Sequence, residues 1–210
     1  MKRCILLAAL VVARGHGQAN PELGGVWLPD RVADIGAKRS LPFEPRAKTK
    51  FEENLGKTSE TDARCLPPGV PRIMLMARPF EIVQTPSRIL FMYEGGGHVW
   101  RQVWTDGRGH PEDPNPDWLG HSIGHWEKHT LVVDTVGFND RTWLDDAGHP
   151  HTEKLHVIER FTRTSPGAMK YEVVIDDPGA YTRSWGVSST LAFRPGDKLT
   201  EDICLDKISK

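Results

Sequence analysis

No apolar stretch of this 210-residue chain is long enough to cross a bilayer as a helix. The longest, Cys4 to Ala13, has about ten residues, against the roughly 20 that a span needs. A dominant charge is missing as well: 27 Lys and Arg face 28 Asp and Glu, a formal net charge of −1. The basic residues are scattered and form no stripe of the kind that binds nucleic acid, so a nucleic-acid partner is not expected. There is no P-loop, no dinucleotide fingerprint, no CxxC and no internal repeat. Ser122, in GHSIG, lacks the GxSxG spacing and the strand–turn–helix setting that expose a catalytic serine. These absences leave a protein without a recognisable cofactor or nucleophile motif.

What is present begins with a targeting pattern. Lys2-Arg3, the apolar run and Gly17-Gln18-Ala19 read as a signal peptide over residues 1–19. The mature chain, residues 20–210, is then expected to be periplasmic or secreted, with no membrane contact beyond export. Its length fits one domain. Cys4 leaves with the signal, so Cys65 and Cys204 remain, and in an oxidising compartment they are expected to pair.

Glycine and proline, 20 and 16 residues, punctuate many short apolar runs. Residues 44–55 have helical spacing, with Ala47, Phe51 and Leu55 on one stripe and Gly56 as a stop. Residues 57–72 read as a polar connector and residues 31–41 as a loop. Strands follow: PFEIVQT, RILFMYE and HVWRQVW, then hairpins turning at Lys128-His129, at Ser165-Pro166-Gly167 and at Pro195-Gly196-Asp197, the last between STLAFR and KLTEDIC. The expected fold is all-β, a single antiparallel barrel of about 8–10 short strands with one N-terminal helix.

All eight histidines after the signal lie between His98 and His156, together with five of the seven tryptophans. Imidazoles exchange protons near neutral pH, and tryptophans supply large flat walls. With Lys128-His129 at the centre of a two-residue turn, Ile123 opposes Asp134 and His121 opposes Val136. Period-two alternation then puts His121, Ile123, His125, Val132, Asp134 and Val136 on one face, a composition expected of a partly polar cavity wall. His121 and His125 would stand about 13 Å apart along a strand, so HxxxH is not a metal motif here without a bulge.

Downstream, His149-Pro150-His151-Thr152-Glu153 resembles in part the metal motif of cupins, although cupins place the Glu farther on and lack the Pro. Past it, His156 and Arg160 share one strand face, and Leu155, Val157, Glu159 and Phe161 the other. Asp176-Asp177-Pro178, with Tyr181 and Trp185, reads as turn chemistry. His121, Asp134, His151, Glu153 and His156 are the candidate acid–base residues, with His110 a candidate from the long loop 106–117. Arg101 or Arg108 would hold an anionic group. Trp104, Trp126 and Trp143 would wall the site, although Trp126 lies on the hairpin face opposite His121.

Gly25-Val26-Trp27 resembles the GxW of lipocalins and related calycin barrels, which implies a barrel whose end Trp27 closes. Longer segments, RQVWTDGRGHP and GHSIGHWEKHTLVVDTVGFNDRTWLD among them, resemble an uncharacterised family of exported bacterial proteins, in which a more glycine-like residue is expected at the EKH turn. That resemblance implies export and a single domain, and brings no reaction. The expected function is cofactor-independent acid–base chemistry (a hydratase or lyase, isomerase or hydrolase) on a small, partly apolar molecule in a barrel cavity lined by His, Asp and Trp. The alternatives are a lipocalin-like carrier without turnover and a metal-dependent hydrolase built on HPHTE. The sequence carries no signal for an oligomeric state.

Overall fold

A computed structural model describes residues 20–30 and 41–204. The expected signal peptide and most of the expected 31–41 loop lie outside the described residues. Nine strands close into one barrel in chain order: β1 (Gly25–Pro29), β2 (Phe80–Gln84), β3 (Arg88–Tyr93), β4 (Trp100–Trp104), β5 (His121–Glu127), β6 (Thr130–Val136), β7 (His156–Ser165), β8 (Ala168–Asp176) and β9 (Trp185–Phe193). The all-β single barrel inferred from the strand pattern is the fold of the chain.

Eight of the nine ladders are antiparallel. The ninth, between β4 and β5, is parallel and spans only Val103↔Ser122 and Trp104↔Ile123. Parity requires such a pair, because strand direction must return to itself after one circuit of a closed ring. An odd number of strands therefore needs an odd number of parallel neighbours. A parallel pair cannot be joined by a tight hairpin and needs a connection of about a dozen residues or more. Residues 105–120 supply it, so the long loop seen in the sequence is the crossover at this seam.

Alternation along each strand fills the barrel. Trp27, Phe80, Phe91, Phe161 and Tyr171 point inward and are at most 1% exposed, with tilted ring contacts of 5.2 Å for Phe91–Phe161 and 5.1 Å for Phe161–Tyr171. Side chains with so little accessible surface leave no water-sized space against them. The interior is a packed core, not a ligand chamber. Trp27, the aromatic of the GxW segment, donates from Nε1 to the Leu23 carbonyl at 2.8 Å.

The polar heart of this core is Arg101. Its guanidinium donates to Ser122 Oγ, Thr135 Oγ1 and the Glu159 carboxylate, and Tyr171 donates its hydroxyl to the other Glu159 oxygen at 3.0 Å. Burial works against the charge on Arg101, but Glu159, joined by Tyr93 and Tyr171, more than offsets this and raises its pKa above the ordinary value. Burial, then the Glu159 charge, pushes the Tyr171 phenol well up. Arg101 Nη1 has no hydrogen-bond partner among the described residues.

Outside the barrel, α1 (Pro45–Asn54) matches the expected helix. Phe51 stacks on His149, centroids 4.3 Å apart, whereas Leu55 ends exposed rather than on the buried stripe. The expected connector is not wholly irregular: it holds α2 (Glu60–Ala63) and leads into α3 (Arg72–Leu75). One N-terminal helix thus becomes one long helix and short turns, because Ser59 caps α2 by accepting from the Asp62 amide. A further turn, α4 (Gly95–His98), has Gly96 at φ 69° and Gly97 at φ 79°, a backbone that only glycine adopts cheaply. His98 therefore belongs to that turn and not to a strand.

The expected last strand, KLTEDIC, does not form. Residues 195–204 run as an irregular strap held by Glu94, which accepts from both Thr200 N and Oγ1, and by a disulfide between Cys65 and Cys204. A disulfide fits an extracellular or periplasmic setting. The expected pairing of β5 with β6 is observed residue for residue, including His121↔Val136 and Ile123↔Asp134.

Candidate functional site

The His121 face of the β5–β6 hairpin points out of the barrel, not into a cavity. The opposite face explains why: Ser122 and Thr135 are needed around Arg101, and Leu131 and Val133 are fully buried core residues. Only one face of a hairpin can serve the interior. The outward face is nevertheless shielded, because the crossover lays His110 against it.

Four side chains meet there in a line. His110 Nδ1 lies 2.8 Å from His121 Nδ1, and its Nε2 lies 3.1 Å from Asp134 Oδ1. His156 Nε2 stands 2.8 Å from the same oxygen. His110 is 19% exposed and Asp134 33%, so the group is screened but reachable. A carboxylate only accepts hydrogen bonds, which assigns the Nε2 proton to both His110 and His156. Neutral His110 then presents the lone pair of Nδ1, and His121 must donate its Nδ1 proton to it. Nε2 of His121, with no hydrogen-bond partner among the described residues, is left as the basic nitrogen.

That residue lines a cleft. His121, Trp104, Trp118, Leu119, Asp117 and Trp100 enclose about 520 Å³ beside the β4–β5 seam. Arg108 lies over the Trp104 ring, 3.6 Å from its centroid, and is held by Asp106 at 2.6 Å. Burial lowers the pKa of His121, and His110 when it carries a proton, then the Arg108 charge, lower it further. At neutral pH the imidazole is uncharged, the state a general base requires.

The other candidates separate from this group. His151 is buried and bonds Thr142 Oγ1 at 2.6 Å and the Thr152 carbonyl at 3.1 Å. His149 is clasped by Asp145 at 2.7 Å. Both hold the loop before β7 and do not share a ligand position. Glu153 is exposed, and the ring nitrogens of His151 are taken by Thr142 and Thr152 rather than by its carboxylate. Asp177 accepts from Thr152 N and Oγ1 and from Gly179 N, which is turn chemistry as expected. Tyr181 donates to the Pro150 carbonyl. Trp126 faces inward at the mouth near Thr105, and Trp143 sits under Arg72, 6.0 Å from its guanidinium carbon. Of the expected walls only Trp104 belongs to the cleft. Arg101 is sealed in the core, so Arg108 is the arginine beside the site.

Trp100 and Trp118 also line this cleft, and nothing in their sequence setting distinguishes them. Both stand on elements bordering the parallel seam, and no strand pattern reveals a seam. Among the described residues, no group of three or more His, Cys, Asp or Glu is arranged to hold a metal ion. His110 directs its two nitrogens at different partners, so the donors of the four-residue line do not converge. In comparisons with known proteins, no family model, no curated sequence and no solved structure matches this chain.

The sealed His151 gives a pH prediction. Burial, only partly offset by the Thr152 carbonyl and by Asp177 and Asp140, lowers its pKa. The unfolded chain therefore takes up this proton first, near the ordinary histidine value of about 6.5. Its contribution is full above that pH and is lost as pH falls through the lowered folded pKa. Urea unfolding at pH 7 and pH 5 should show lower stability at pH 5, and His151→Gln should flatten the difference. An unchanged slope in the variant would remove His151 as its source.

Proposed function

We propose that this exported chain is a small-molecule enzyme performing cofactor-independent acid–base chemistry in the outer cleft beside the β4–β5 seam. His121 is the catalytic base. His110 and Asp134 are positioning residues that fix its tautomer, and His156 supplies a second proton donor to Asp134. One observation carries this reading: the unbroken hydrogen-bonded line from Asp134 through His110 to a lowered-pKa histidine on an aromatic-walled cleft. Trp104 and Trp118 suit a substrate with a flat or apolar part, and Arg108 favours negative charge developing next to the base. Hydration, elimination and isomerisation all fit this arrangement. Carriage of a ligand inside the barrel is not favoured, because the interior is packed.

The test uses 5-nitrobenzisoxazole, whose ring opens when a base removes its C3 proton as the N–O bond breaks. The protein should outpace free imidazole at equal concentration by about tenfold or more, and His121→Ala should lose that advantage, since a positioned base contributes about a hundredfold or more. The rate should rise with pH through a midpoint below the ordinary histidine value and stay flat at neutral pH. In Asp134→Asn, whose amide can donate to His110 and reverse its tautomer, that midpoint should move. Turnover no faster than imidazole, or unaffected by His121→Ala, would sink the assignment.

A further inference from the structure

A second trough runs along the other side of β4. It has a volume of about 490 Å³ and is lined by Leu90 and Met92 of β3, Trp100 and Gln102 of β4, and Leu199 of the strap. His98, Val99, Trp100 and Gln102 border this trough and the catalytic cleft alike. The two therefore adjoin, one on each side of the β4 ridge. Leu90 and Met92 occupy outward positions, where alternation in a water-facing sheet calls for polar residues. Trp100 is 62% exposed, an unusual position for a large aromatic with no assigned contact.

The far wall is held in place. Leu199 reaches the trough because the next residue, Thr200, is bonded twice to Glu94. The Asp202 amide donates to His98 Nε2, and the disulfide fixes Cys204. A solvent-facing strap with no role would not need three anchors. Here they keep an apolar wall standing over an apolar floor, next to the base.

We propose that this trough is the subsite for an unbranched apolar tail of the substrate, whose reacting head lies over His121. The substrate class is thus a linear amphiphile, alkyl or acyl, in monomeric form. This rests on the acid–base reading for the position of the head, but the tail subsite is tested by binding alone.

The probes are 1-butanol, 1-hexanol and 1-octanol, titrated into the full-length mature protein by calorimetry. Each added CH2 that is buried should tighten Kd by about three- to fourfold, or roughly two hundredfold from butanol to octanol. Leu90→Gln/Met92→Gln should flatten the series, and so should Trp100→Ala, whose exposed side chain can be removed without disturbing the core. Both variants should keep the wild-type thermal midpoint, and Leu90→Gln/Met92→Gln, whose side chains line the trough and not the cleft, should keep most of the 5-nitrobenzisoxazole rate. A flat series in the wild-type protein overturns the tail subsite while leaving the base assignment standing. A steep series in a protein with no elimination activity does the reverse. Sedimentation with phosphatidylcholine vesicles that depends on Leu90 and Met92, beside a flat alkanol series, would give the face to a membrane surface and overturn the proposal.

Discussion

Glu159→Ala should lower the free energy of unfolding by roughly 3–5 kcal/mol, an effect as large as emptying an aromatic core position. Glu159 and Arg101 are both sealed in the barrel, and Arg101 already has one nitrogen, Nη1, without a hydrogen-bond partner among the described residues. Removing the carboxylate leaves a full positive charge there with only the Ser122 and Thr135 hydroxyls to solvate it. It also frees the Tyr171 hydroxyl, at about 1–3 kcal/mol for a buried group left unmatched. Urea unfolding monitored by tryptophan fluorescence measures the loss. The double variant Arg101→Leu/Glu159→Leu should recover much of it, because an ion pair replaced as a unit by apolar residues is often neutral. A single variant that costs under about 1 kcal/mol would show that water reaches the pair and that the core is not sealed.

Cys65→Ser/Cys204→Ser should cost several kcal/mol. The bridge closes a loop with a sequence separation of 139, for which chain entropy sets an upper figure of about 5 kcal/mol. The strap is also tied to Glu94 and His98 by hydrogen bonds, which are individually weaker than the covalent bridge. Part of the penalty should therefore be relieved by release of residues 195–204 before the barrel unfolds. Two readouts separate these contributions: global unfolding in urea, and protease cleavage within the strap under native conditions. A double variant with wild-type stability and an uncut strap would contradict this account.

The site was half legible in the sequence. Alternation and a two-residue turn were enough to pair Ile123 with Asp134 and His121 with Val136, and the ladder has that register. The same pattern did not say which hairpin face would look inward. His121 and Asp134 have the residue types of functional groups, whereas Ser122, set aside as a nucleophile, and Thr135 are what the buried guanidinium requires. Glu159 carried a usable signal. It is a charged residue set between Val157 and Phe161 on a face that continues an apolar run from Leu155, and a charge there needs an inward partner of opposite sign.

His110 was named only as a loop residue, since nothing in a sequence fixes where a crossover comes to rest. The HPHTE segment has residues of metal-ligand type. Burial and the hydroxyl of Thr142 give His151 a structural duty instead. KLTEDIC alternated well enough for a strand but found no open edge, since β1 already closes the barrel against β9.

The short parallel ladder between β4 and β5 has a further consequence, for the dynamics of the molecule. With two residue pairs it is the shortest ladder of the barrel, and the segments beside it carry Trp100, Trp118 and His121. Local opening follows the weakest set of backbone bonds, so amide hydrogen exchange should be fastest in this sector and slowest in β7 and β8. The cleft can then widen to admit a molecule by parting a seam, while the aromatic core behind it stays packed.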